Sequence, residues 1–238
     1  MPDPASTVTA EGSRGLDVNL RSGVQMIEYE AIADRIASER RSPVLDWGCG
    51  WGQVSSLLRE RGVDVEAFDY RAGEPVHEVE LEHFSGFRVQ VSGEPVALPY
   101  PDNHFAAALS CGVLEHVQDP GGSLDELHRI LRPGGRLYIY KLPNRLSYLE
   151  AIAKRMGLYY HGALPEDQLY DLASTRKILT HHGFRVDELR RANVLPLTIP
   201  HPLATRYADQ IWRINVALGR TPVLNRIATN VEAVATAL

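Results

Sequence analysis

The sequence predicts a doubly wound α/β fold, with helices on both faces of a mostly parallel sheet. Three observations predict it. A short apolar run, Val44-Leu45, ends at Asp46 and passes through Gly48, Gly50 and Gly52 into a helical pattern opened by Val54, Leu57 and Leu58. Strand-type and helix-type periods then alternate as far as residue 189, the order that builds parallel sheets with crossover helices. Finally, Val231, Ala233, Ala235 and Ala237 recur at every second position, which reads as a closing strand.

The elements follow in order. Residues 1–23 are rich in Pro, Ser, Thr and Gly without periodicity and are expected to be a flexible segment ahead of one domain over 24–238. Ile27, Ala31, Ile32 and Ile36 mark a helix from Val24 to Ala37. The helix after Gly52 is expected to end near Gly62, and Val63–Phe68 to form a strand closing on Asp69. Residues 71–88 have little pattern and read as a loop with a short helix, followed by a strand over Phe87–Val91. Ala106–Ser110 is a short buried strand. Ser123 with Glu126 three residues on has the capping-box spacing, ahead of an apolar face of Leu124, Leu127, Ile130 and Leu131. Arg132-Pro133-Gly134-Gly135 stops that helix, and Arg136–Leu142 is a strand. Further on, Leu146–Met156, Ser174–His182 and Tyr207–Leu218 read as helices, Phe184–Leu189 as a strand, and GLYYHGALPEDQ as a loop. Irregular insertions occupy about 143–175 and 192–225.

The glycine turn is the informative stretch. Glycines there let a nucleotide-like ligand approach backbone at a strand's carboxyl end. A dinucleotide site spaces them G-x-G-x-x-G, whereas the third glycine here comes one residue early. Asp46 at the mouth of the turn would repel a pyrophosphate and suit a ligand carrying an ammonium group. Asp69 follows the turn by roughly 20 residues, the distance at which an acid reaches a ribose diol.

With the reading DWGCGWG, the chain resembles the class I S-adenosylmethionine-dependent methyltransferases, whose first motif is hydrophobic-hydrophobic-D-x-G-x-G-x-G. A second stretch, Leu98 to Leu142, is similar to the family's LPF…EHV…L-x-PGG-x-L pattern. The resemblance implies a Rossmann-like, mostly parallel seven-stranded sheet with an antiparallel last strand and inserted cap elements. It implies S-adenosylmethionine as cofactor and S-adenosylhomocysteine as product. The cofactor-binding set it points to is Asp46, Gly48, Cys49, Gly50, Gly52, Asp69, Tyr70, Glu94, Pro95 and Cys111. Glu94 stands where the family usually has an aspartate for the adenine amino group, and Ala106 where it usually has an acid.

Composition narrows the field. A net charge of −5 over 238 residues gives no global pull toward nucleic acid, and no basic stripe with interleaved aromatics occurs. The N-terminus lacks a basic region followed by an apolar run, and no apolar stretch approaches the ~20 residues of a membrane span. The two cysteines, Cys49 and Cys111, do not form a disulfide framework, so a cytoplasmic setting is expected. No H-x-H or H-E-x-x-H spacing calls for a metal.

Methyl transfer from a sulfonium needs an oriented acceptor and, for a hydroxyl, a base. His116, after the fourth strand in Glu115-His116, is the candidate base; the same side chain would also suit packing beside the cofactor. Lys141 reads either as a solvated strand end or as a contact to an acidic acceptor. His161 and His201 in the insertions are further candidates, and Tyr148, Tyr159 and Tyr160 candidate pocket walls. The expected function is O-methylation of a hydroxyl on a sugar, natural product or lipid-linked metabolite. N- or C-methylation of a small metabolite, a non-catalytic cofactor-binding module and a nicotinamide-dependent dehydrogenase are the alternatives. The acceptor, the regiochemistry and the choice between monomer and homodimer are left open by the sequence.

Overall fold

The computed structural model describes residues 23–80, 87–157, 168–197 and 202–238. Among them, eight strands form one sheet in the order β3-β4-β2-β1-β5-β6-β8-β7. The strands are β1 (Val44–Trp47), β2 (Val65–Tyr70), β3 (His77–Glu80), β4 (Arg88–Ser92), β5 (Phe105–Cys111), β6 (Leu131–Pro143), β7 (Phe184–Ala192) and β8 (Asn230–Ala237). The helices are α1 (Gly23–Ser38), α2 (Gln53–Glu60), α3 (Pro120–Ile130), α4 (Tyr148–Met156), α5 (Leu172–His181), α6 (Pro202–Arg206), α7 (Ala208–Gly219) and α8 (Pro222–Asn225).

Alternation along the central strands sorts the core into two layers. Val44, Ala107, Leu109 and Tyr138 face α1 and α2, where Ile32, Ile36, Leu57 and Leu58 cover them. Leu45, Trp47, Ala108, Leu137 and Ile139 face the other side, against Leu124, Leu127 and Ile130 of α3 and Leu179 of α5. The pairs β1–β2, β1–β5, β2–β4 and β5–β6 are parallel, while β8 lies antiparallel between β6 and β7. The chain winds outward from β1 through β2 to β4, then returns to β5 on the opposite side. That places the reversal of winding between β1 and β5, where open α/β sheets bind ligands.

Three sequence expectations change. The sheet has one strand more than expected, because part of the stretch read as a loop pairs as β3 with β4, from His77↔Val91 to Glu80↔Arg88. Its sequence, HEVE, alternates half-buried and exposed positions at the sheet edge, and Arg88 Nη1 donates to Glu78 Oε2 at 3.0 Å. Charged side chains of this kind suit an edge strand. Second, α3 starts at Pro120, not after Ser123. Asp119 is its N-cap, accepting from Gly122 N–H at 2.9 Å. Proline fits the first helical position because its missing N–H has no partner there. Ser123 is consequently inside the helix, and Glu126 Oε2 accepts instead from Leu98 N–H at 2.9 Å and from Arg129. Third, β6 begins at Leu131 as α3 ends. Arg132–Gly135 bulge out between the pairings Phe105↔Leu131 and Ala107↔Arg136.

Candidate active site

Two clefts open at the carboxyl ends of the central strands. The first, of about 230 Å³, lies over β1, β2 and β4. Its geometry begins with the glycine turn. Gly48, Gly50 and Gly52 have φ of +73°, +52° and +77°, a region in which a side chain on an L-residue is strained. Gly48 and Cys49 N–H donate to Phe68 O at 2.8 and 3.0 Å, which fastens the turn to the end of β2. A Cβ on Gly48 would lie 2.5 Å from Val113 Cγ2, so the cleft floor has no room for one.

The first cleft gathers Gly48, Asp69, Tyr70, Glu94, Pro95 and His116 from the sequence-derived set. Asp69 accepts from Tyr70 N–H at 3.1 Å through Oδ1, and burial raises its pKa. Its second oxygen has no hydrogen-bond partner among the described residues, which leaves it open to a diol. Glu94 is presented by a tight crossing. Gly93 N–H donates to Glu74 O at 2.8 Å, and a Cβ at Gly93 would meet that same oxygen at 2.5 Å. Phe68, Val96, Leu98, Val113 and Val117 provide apolar walls for a flat base.

Charge selects among ligands. The cleft lining contains two carboxylates, Asp69 and Glu94, and neither Lys nor Arg among the described residues. A pyrophosphate would meet uncompensated like charge there. A nucleoside with a cationic tail fits. Asp46 lies behind the turn, 2% exposed, with Oδ2 accepting from Ser55 Oγ at 2.5 Å. Burial pushes its carboxyl up to about 6, against the Ser55 hydrogen bond, and the nearby Asp69 charge adds to the rise. Asp46 thus stands behind the turn and offers the cleft no open face. Cys49, Gly50 and Gly52 shape the turn without lining the cleft.

The second cleft, of about 280 Å³, lies over β5, β6 and the start of β8. Cys111 faces this cleft, not the first one. So do Lys141 from β6, Glu28 and Tyr29 from α1, and Asn193 after β7. His116 lines both clefts and stands in the wall between them. Its Nε2 lies 3.8 Å from Oε1 of the buried Glu115, too long for a hydrogen bond. Lys141 is no solvated strand end, since its side chain is 18% exposed and ion-paired with Glu28 at 3.4 Å. Sequence reasoning missed Glu28, Tyr29 and Asn193. Glu28 had one available signal, an acid within the apolar stripe of α1, where it is 2% exposed. Tyr148 is not among the residues of either cleft, and Tyr159, Tyr160, His161 and His201 lie outside the described residues.

Comparison with known proteins bears on the family and the fold. A family model described as a methyltransferase domain matches residues 25–189. A sterol 24-C-methyltransferase from Yarrowia lipolytica is 27% identical over 209 residues, covering 83% of this chain and 54% of that protein. A ubiquinone biosynthesis O-methyltransferase from Pseudomonas aeruginosa is 32% identical over 114 residues, 46% of this chain and 48% of the relative. The matched region thus spans about half the length of these curated relatives. A solved SAM-dependent methyltransferase from Archaeoglobus fulgidus shares the fold, with a TM-score of 0.58 at 20% identity over 90% of this chain and 94% of that one.

Proposed function

The chain belongs to the methyltransferase-domain family, and from that premise we propose that it methylates a hydroxyl oxygen of a small molecule, with S-adenosylmethionine as donor. One observation carries the reading: His116 stands between a nucleoside-shaped acidic cleft and a separate polar cleft. The first holds the cofactor. Asp69 accepts from the ribose hydroxyls, Glu94 and Pro95 meet the base, and the Gly48 turn with Asp46 behind it receives the tail amine. Tyr70 covers the nucleoside edge. The second cleft holds the acceptor, with Cys111 in its wall.

When bound, S-adenosylmethionine supplies a methyl group on a sulfonium, whose carbon–sulfur bond breaks as the acceptor's oxygen–carbon bond forms. The protein's part is alignment and proton removal. His116 takes the acceptor's proton on a ring nitrogen, and the buried Glu115 lies 3.8 Å from its Nε2. Among the described residues, no helix is long and apolar enough to cross a membrane, and no cluster of His, Cys, Asp and Glu is fit to hold a metal. Incubation with S-adenosylmethionine and a panel of hydroxylated and amine metabolites tests the reading. S-adenosylhomocysteine release with hydroxyl acceptors is expected. Release with amines alone, or binding of NAD in place of S-adenosylhomocysteine, overturns it.

Asp46 adds a pH dependence. Its raised pKa means that the folded protein keeps a proton which the unfolded chain loses near the ordinary carboxylate range, so ligand-free stability falls as pH rises toward about 6. A ligand ammonium beside the turn favours the ionised carboxylate, so binding has the opposite trend. Calorimetry should show S-adenosylhomocysteine binding strengthening by about fivefold between about pH 5 and about pH 7. In Asp46→Asn the dependence shrinks to what Asp69 contributes. An unchanged slope in that variant separates Asp46 from the ligand's charge.

A further inference from the structure

The acceptor cleft contains a cation with unused hydrogen-bonding capacity. Lys141 has φ of +61°, a left-handed conformation that a non-glycine residue holds only where its surroundings impose it. The β6–β8 register slips between Ile139 and Leu142, so Lys141 sits on an irregularity that turns its side chain out of the ladder and into the cleft. Among the described residues the ammonium has one hydrogen-bonding partner, Glu28 Oε2 at 3.4 Å, and it lies 5.0 Å from the centre of the Tyr29 ring. A lysine has three N–H donors. At least one is therefore left for an occupant.

The counter-ion is itself held firmly. Glu28 Oε1 accepts from Asn193 Nδ2 at 2.5 Å. Asn193 Oδ1 accepts from Asn215 Nδ2 at 2.9 Å, and Asn215 Oδ1 accepts from Val194 and Leu195 N–H at 2.8 and 3.0 Å. This chain of amides runs from α7 through the end of β7 to α1. It keeps the carboxylate from swinging away and holds Lys141 in the cleft that His116 also lines. Burial alone would lower the lysine pKa, but Glu28 and the neighbouring groups hold it above the usual range, so the ammonium stays charged.

We propose that Lys141 binds the acceptor's reacting oxygen as it becomes an oxyanion, and that the acceptor is an acidic hydroxyl, a phenol or an enol, rather than an aliphatic alcohol. The inference rests on the methyl-transfer reading for the cleft's role. In this step the acceptor's O–H bond breaks, its proton passes to His116, and the electron pair stays on the oxygen facing Lys141. One nearby cation favours ionisation by one to three pKa units at most, and the Glu28 and Glu115 carboxylates lining the same cleft work against it. That is enough for a phenol or enol near neutral pH and far too little for an alkyl hydroxyl.

The test uses 4-nitrophenol, whose anion is yellow, with the full chain in the presence and absence of S-adenosylhomocysteine. Wild type should raise the ionised fraction at fixed pH, an apparent pKa fall of about one unit. Lys141→Met should abolish the colour change and weaken binding of the dye about tenfold. Lys141→Arg, which keeps the charge, should restore much of it. An unchanged spectrum with wild type, or an equal shift in Lys141→Met, overturns the proposal. Failure of S-adenosylhomocysteine to bind refutes the methyl-transfer reading instead, while the dye's response without that ligand still judges Lys141.

Discussion

Replacing His116 by alanine should lower kcat by about a hundredfold or more, the usual worth of a placed general base. The cofactor should bind nearly as before. His116 is one wall residue among many in the first cleft, whose lining also carries the polar groups of Asp69 and Glu94. The loss should also depend on pH. At higher pH the acceptor's hydroxyl sheds its own proton and needs no base, so the variant should recover toward wild type as alkalinity increases. A purely structural histidine would give a uniform loss at every pH, accompanied by a lower melting temperature. Single-turnover rates measured with saturating S-adenosylmethionine across a pH series distinguish the two. Equal kcat in variant and wild type would remove His116 from the chemistry altogether.

Gly48→Ala should abolish most cofactor binding for two separable reasons. The backbone φ of +73° is one that an alanine adopts only at a cost of roughly 1–2 kcal/mol. The added Cβ would also lie 2.5 and 2.7 Å from the two Val113 methyls, forcing that side chain into the first cleft or the turn out of place. Gly50→Ala is the matched control, with a positive φ of +52° and nothing within 4 Å of its Cβ. We expect the affinity for S-adenosylhomocysteine to fall by well over tenfold in Gly48→Ala, about 1.4 kcal/mol per decade, and clearly less in Gly50→Ala. Adding Val113→Ala should return part of the loss. Calorimetry on the four proteins decides the matter, and equal losses at the two glycines would show that the Val113 contact is irrelevant.

What could be read in advance follows from sequence distance. The glycine turn is legible because strand end, turn and helix start are contiguous, and each has a residue signature. Asp69 is legible because a βαβ unit fixes its separation from that turn. β3 was not, since HEVE is short and polar and exists only by pairing with β4. The N-cap of α3 was misplaced because Pro-Gly-Gly reads as a breaker, while in the structure it forms the first turn beneath Asp119. The second cleft is least visible in the sequence. Glu28 and Asn193 meet across 165 positions of sequence, and Lys141 matters through a bulge that no local pattern announces. The glycine-turn cleft is built from pieces local in the chain, whereas the second cleft is assembled from distant ones.

The placement of β8 between β6 and β7 bears on biogenesis. Residues 230–237 leave the ribosome after both neighbours, so until they arrive two strands face each other across a gap with unpaired amides and carbonyls. β8 is buried from Val231 to Ala237, with Glu232 and Thr236 among its apolar residues, and so its slot in the waiting sheet is open to another extended peptide of similar pattern. The second half of this sheet is therefore where strand exchange between copies is expected to begin.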